Sequence, residues 1–267
     1  SSPISSYSIE KTVPMTLMHG RDVVLWSQML AGEIELEHSE VVFAGYGIVA
    51  PEFGWNDYDG GDVRGKTVLV MVNDPGFATQ DPTMFRGNAM TYYGRWTYKF
   101  EEAERQGAAA CLIIHQDDAA GYGWTVVDQS WSRPQLQLGG EVMDRSLEVN
   151  GWISQDAAEA LVDVADRDLA TLCKGASKRG ARAMELAGVS FSASFSNRVQ
   201  RVVSANVLAK LKGSKSPDEH VLVCAHWDHL GTREGSDTED NIYNGAVDNA
   251  SGTASLLELA EALGSDE

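Results

Sequence analysis

The spacing of apolar positions changes several times along the chain, and each change marks an expected element. Residues 13–18 are an apolar stretch after a polar start, and residues 22–30 carry apolar side chains at helix-like spacing. Residues 41–48 (VVFAGYGI) read as a strand breaking into glycines, followed by a turn-rich approach at 58–66. Residues 67–73 (TVLVMVN) form an uninterrupted, largely β-branched run, as expected of a buried strand. Residues 74–93 read as loop. Residues 97–106 (TYKFEEAERQ) have the pattern of a charged amphipathic helix, with Gly107 as its stop. A second buried strand is expected at 108–115 (AAACLIIH). Strand, helix and strand with short joints predict an α/β unit.

Further along, residues 156–172 predict a helix rich in Ala and Asp. Residues 189–195 and 198–203 alternate as paired strands do, and 204–212 read as a strand ending at Gly213. After a polar turn at 214–219, residues 221–225 predict a buried strand that runs straight into His226. Residues 232–244 read as an acidic loop. Its Glu234, Asp237, Glu239 and Asp240 lack the ordered ligand pattern of a calcium loop, so they read as solvated. Residues 251–263 predict a helix with Leu256, Leu257, Leu259, Ala260 and Leu263 on one broad face. The texture tightens near residue 195, which is the expected boundary between two domains.

Composition narrows the picture. Apolar residues make up 43% of 267, enough core for one large or two ordinary domains. No apolar run approaches the ~20 residues of a membrane span. The net charge of -18, from 39 acidic and 21 basic residues, disfavours nucleic acid as a partner. It fits a solvated acidic surface and would help retain divalent cations. The three cysteines, Cys111, Cys173 and Cys224, form no CxxC pair. Cys111 and Cys224 fall in apolar runs and read as core, so no disulfide framework is indicated.

The chemistry concentrates at His226-Trp227-Asp228-His229-Leu230-Gly231 and Asp248-Asn249-Ala250-Ser251-Gly252. His226 follows the expected strand 221–225, at the sheet edge where ligands gather in α/β folds. If the backbone stays extended, Asp228 points the same way as His226, and a carboxylate beside a ligating imidazole fixes its tautomer. Asp248 lies in a loop entering a helix, and its two oxygens suit it to bridging two cations. Taken singly, a histidine after a strand is more often structural, and an aspartate before a helix is more often a cap. Asn249-Ala250-Ser251 also matches a glycosylation sequon, which a tight helix entrance disfavours. HExxH, GxSxG and Walker patterns are absent, and Gly45-Tyr46-Gly47 opens no clear helix.

The joint string is more specific than its parts. Residues 221–231 (VLVCAHWDHLG) with 242–253 (IYNGAVDNASGT) closely resemble the M28 family of zinc peptidases, mostly aminopeptidases, with glutamate carboxypeptidases as relatives. The resemblance implies a two-zinc site on a mixed sheet flanked by helices, acting on peptide substrates. By matching position, His226 resembles a zinc ligand, Asp248 the bridging aspartate, and Asp228 the catalytic aspartate that orients the site. Residues 41–44, 65–73 and 92–115 resemble the protease-associated domain often inserted in these enzymes. The expected organisation is a lead-in at 1–40, a β-rich protease-associated α/β domain at 41–195, and the incomplete start of a mixed-sheet zinc exopeptidase domain at 196–267. The family implies secretion or a periplasmic location. The family's adjacent glutamates, further acidic ligand and distal histidine have no match. After Gly252 only Glu258, Glu261, Asp266 and Glu267 are acidic, and no histidine follows. The chain is therefore expected to be a fragment, inactive alone, of a longer peptidase. The alternative is a non-catalytic interaction module with a vestigial peptidase edge.

Overall fold

A computed structural model of the chain describes residues 7–10, 14–136, 146–232 and 240–264. Glu234, Asp237, Glu239, Asp266 and Glu267 lie outside the described residues. The chain divides into two compact units, Ser1–Arg201 and Val202–Glu267.

The first unit begins with β1 (Tyr7–Glu10), β2 (Met15–Leu17), β3 (Val23–Trp26) and the long β4 (Glu33–Phe43). A short pair follows, β5 (Val49–Ala50) with β6 (Trp55–Asn56), and then β7 (Thr67–Met71) and α1 (Pro75–Thr79). The next elements are α2 (Trp96–Arg105), β8 (Ala110–His115), α3 (Asp117–Ala120) and α4 (Trp124–Trp131). The unit closes with β9 (Val149–Ser154), α5 (Gln155–Asp163), α6 (Leu169–Ala176) and β10 (Met184–Ser196).

Eight of these strands form one mixed sheet in the order β2-β1-β10-β4-β7-β8-β9-β3. Its centre, β4 to β9, is parallel. The strands outside it pair antiparallel. Every residue of β7 and β8 is buried, because helices cover both faces of the sheet. Leu69, Met71, Leu112 and Ile114 pack with Ala158 and Leu161 of α5 and Leu169 of α6. The alternate positions Val68, Val70, Cys111 and Ile113 pack with Phe100 and Ala103 of α2 and Val127 of α4. The architecture is α/β.

A buried polar knot sits where β4 leaves the sheet. Gly47 has φ 63°, and a Cβ there would meet Val70 Cγ1 at 2.8 Å, so the turn needs glycine. The turned backbone aims the N–H groups of Tyr46 and Ile48 at Asp57 Oδ2, at 3.1 and 3.0 Å. Trp55 Nε1 donates to Asp57 Oδ1 at 2.9 Å. Nearby, Lys99 of α2 is fully buried, donates to the Asn73 carbonyl at 2.8 Å and lies over the Tyr46 ring. Burial pushes the Asp57 carboxyl up to about 7 and pulls the Lys99 ammonium down to about 7, each opposed by the other's charge.

Several expected elements are corrected. Residues 22–30 contain strand β3, not a helix. Val23–Trp26 is a continuous apolar run, buried at every position and paired antiparallel with β9, so packing overrides the flanking helical spacing. The expected helix at 156–172 is two helices. The chain turns at Asp166 (φ 54°), and Asp168 accepts from Thr171 N at 2.7 Å, starting α6 with a new cap. The loop at 74–93 holds α1, where Asp74 caps Gly76 N and also accepts from Thr91 N and Oγ1.

Across the end of the first unit and into the second, residues 198–203, 204–212 and 221–225 form no strands, and Val221, Leu222 and Cys224 are exposed, not core. A strand draws its hydrogen bonds from neighbours. Among the described residues of the second unit, the pairing is one isolated bridge, Thr232 with Ile242. Helix α7 (Ser251–Gly264) does form, because its hydrogen bonds lie within the segment. Among the described residues no helix is long and apolar enough to cross a membrane.

Candidate metal centre

The second unit brings His226, Asp228 and Asp248 together. Gly245, at φ 66°, opens a bend over Ala246–Ala250. Within it Asp248 (φ -116°, ψ 87°) and Asn249 (φ -141°, ψ 38°) leave helical geometry, and the peptide bond joining them is cis. Asn249 Oδ1 accepts from Gly252 N at 3.1 Å, which caps the first turn of α7. Thr253 Oγ1 donates to the His226 carbonyl at 3.3 Å and ties that segment to the same helix turn.

On this frame His226 Nε2 lies 2.9 Å from Asp248 Oδ1. On the other side of the ring, Nδ1–H donates to the Asp228 backbone carbonyl at 2.9 Å, and Asp228 Oδ1 is 3.5 Å from the same nitrogen. All three side chains are exposed. The imidazole is held above its ordinary value by the hydrogen bond to the Asp228 carbonyl. Desolvation opposes this, and the charges of Asp248 and Asp228 add to it.

This geometry bears on whether a zinc ion fits. The Asp228 carbonyl consumes Nδ1–H, which leaves Nε2 as the ring's ligand atom. Nε2 and Asp248 Oδ1 face each other at 2.9 Å, across the place a cation would occupy. Tetrahedral zinc with ordinary N and O bonds holds two such atoms about 3.4 Å apart, so an opening of about 0.5 Å would admit it. One imidazole nitrogen and one carboxylate fit zinc chemistry as part of a site. They do not close it, because a zinc centre takes at least three protein donors. Among the described residues no group of three or more His, Cys, Asp or Glu side chains is arranged to hold a metal ion. His229 stands apart, edge-on to the Tyr243 ring at 6.3 Å between centroids.

The sequence singled out the three polar side chains but not the two that frame them. Asn249 and Thr253 carry the capping and the tie to His226. Their signal was present, since an Asn at the mouth of an apolar helical run is a capping pattern.

Comparison with known proteins places this segment. Residues 206–267 match the model of peptidase family M28. The mouse protein described as aminopeptidase NAALADL1 is 36% identical over 78 residues, which cover 29% of this chain and 9% of that relative's length. Over residues 206–267, where the two-donor site lies, this is an M28 peptidase-like chain.

Proposed function

We propose that His226 and Asp248 are ligands in the zinc centre of an exopeptidase of aminopeptidase type, and that Asp228 orients the His226 ring. The observation that carries this reading is the 2.9 Å approach of His226 Nε2 to Asp248 within the family match, with Nδ1 already engaged by Asp228. Bound there, two zinc ions would lower the pKa of a water and polarise a peptide carbonyl. The chain's own residues do the positioning. Asp228 sets the tautomer and pitch of the ring, Asn249 fixes the bend that presents Asp248, and Thr253 holds the two segments in register. In this reading residues 41–195 are a protease-associated domain and 196–267 the first part of the peptidase domain. The substrates are peptides, and the location is extracytoplasmic by family resemblance.

Zinc titration of the purified chain tests the ligands. With two donors, the expected result is weak, substoichiometric zinc that falls further in His226→Ala and Asp248→Ala and changes little in His229→Ala. Two tightly held zinc ions in the monomer, or zinc uptake indifferent to His226, would overturn the assignment. Aminoacyl anilides against acidic dipeptides, assayed with the complete peptidase domain, separate an aminopeptidase from a carboxypeptidase-type relative.

A further inference from the structure

We propose, resting on the zinc reading above, that Gly245 and Gly252 are positioning residues of the metal centre, and that the missing side chain at each lets Asp248 reach His226. Both glycines lie in the second unit and flank Asp248, one at the entry to the bend and one in the first turn of α7.

Gly245 is a point of close approach between two segments. The stretches 226–232 and 242–248 are joined by the antiparallel bridge of Thr232 with Ile242 and by Tyr243 N–H, which donates to the Gly231 carbonyl at 2.9 Å. At Gly245 the second stretch turns into the bend, and the Gly245 carbonyl accepts from Ala250 N at 3.0 Å. A Cβ at this position would stand 2.9 Å from the Asp248 carbonyl oxygen and 3.0 Å from both Cβ and Cγ of His229. One neighbour belongs to the segment that carries Asp248, the other to the segment that carries His226. Ordinary contact lies at ~3.5–4.0 Å, so each neighbour would have to give by roughly 0.5–1 Å, and a wedge that moves both parts the segments by about 1–2 Å. Zinc needs the gap between Nε2 and Oδ1 to open by only about 0.5 Å, so the wedge overshoots.

Gly252 acts from the other side of Asp248. Its N–H donates to Asn249 Oδ1 at 3.1 Å, and the Asn249 amide lies where a side chain at 252 would begin. A Cβ there would meet Asn249 Cγ at 2.8 Å and Nδ2 at 2.9 Å. The Asn249 side chain would have to swing out, which releases the cap and with it the bend that presents Asp248. The helix gives no reason for this glycine. Gly252 has no left-handed φ and lies within α7, where alanine is the better residue. Helix propensity therefore opposes glycine at 252, and the packing of Asn249 requires it.

This opposition separates positioning from a merely structural role. Gly252→Ala should favour α7 as a helix and disfavour the metal site, so the two readouts move in different directions.

The test is titration of the full chain with zinc against a chelating indicator. Amide hydrogen exchange of α7 and NOEs of the zinc-free chain are read on the same samples. Gly245→Ala and Gly252→Ala should each weaken zinc by roughly tenfold or more, the range seen for residues that support ligands from outside. Gly252→Ala should leave amide protection in α7 equal or higher. Gly245→Asn should fall with Gly245→Ala, because asparagine tolerates a left-handed φ but brings a Cβ. Adding His229→Gly to Gly245→Ala removes one wall and should recover part of the loss. In the zinc-free wild-type chain, NOEs between the His226 ring and Asp248 Hβ are expected, and both alanine variants should lose them. Wild-type zinc affinity and intact NOEs in either alanine variant, or in Gly245→Asn, would overturn the proposal. If zinc is indifferent to His226→Ala while the NOEs respond to the glycines, the ligand reading fails and the positioning of the pair stands.

Discussion

Asp57→Asn should be among the most damaging single-atom changes in the first unit. The wild-type carboxylate is buried and fully used, with Oδ2 taking the N–H groups of Tyr46 and Ile48 and Oδ1 taking Trp55 Nε1–H. An amide keeps one acceptor. In its better orientation the oxygen serves the two backbone donors and the NH2 group faces the Trp55 N–H, donor against donor. That leaves a buried donor unsatisfied at a cost of about 1–3 kcal/mol. The buried Lys99 ammonium also loses an opposing charge, which adds to that cost. Lys99→Met differs in kind. It frees the Asn73 carbonyl but removes a cation that burial disfavours, so the two effects offset and the loss should stay below about 2 kcal/mol. Urea titration followed by tryptophan fluorescence reads both changes, and thermal unfolding should place Asp57→Asn roughly 2–12 °C below wild type. The double variant should cost less than the sum of the singles, with a coupling of about 0.5–3 kcal/mol. An Asp57→Asn protein within about 1 kcal/mol of wild type, or strict additivity, would refute the reasoning.

Three further outcomes follow from the same packing. The Lys99 pKa lies near about 7 when folded and 10.5 when exposed, so between these values the unfolded chain holds more protons and stability rises with pH. Wild type minus Lys99→Met should therefore gain stability from about pH 7.5 to 9.5, by up to ~1.4 kcal/mol per unit, and a flat difference would contradict it. Gly151→Ala on β9 would drive a methyl into Leu25 and to 2.9 Å from Leu112, costing about 1–3 kcal/mol in the same urea assay; an unchanged midpoint would show that the sheet yields there. Toward a disulfide reagent, exposed Cys224 should react first. Cys173 should be slow, because burial raises its thiol to about 11, and Cys111, buried and raised well above the ordinary range, should be silent until unfolding. Native-state labelling of Cys111 at the rate of Cys224 would show the β8 core to be open.

Runs that carry their own instructions were legible from the sequence. The β-branched stretch at 67–73 and the apolar stretch at 108–115 became β7 and β8, and the amphipathic 97–106 became α2 within a residue of its expected bounds. The α/β class followed from their alternation. Strand β9 was hidden because Asn150 and Gly151 interrupt its pattern; its place is set by β8 on one side and β3 on the other. The same dependence on neighbours misplaced residues 221–225, an apolar run whose ladder bonds must be supplied from elsewhere.

At the candidate site the sequence determined which groups are present. His226, Asp228 and Asp248 stand in a string specific enough to mark the family. Tertiary structure alone decided which ring nitrogen faces which oxygen, because tautomer and approach depend on a carbonyl, a bend and a helix cap rather than on residue type. It likewise decided the buried knot around Asp57, where the N–H groups of Tyr46 and Ile48 and the Trp55 ring meet one carboxylate beside Lys99 of α2. Local hydrogen bonds and periodic burial are written into adjacent residues, whereas a site assembled across a sheet edge exists only after the strands have paired.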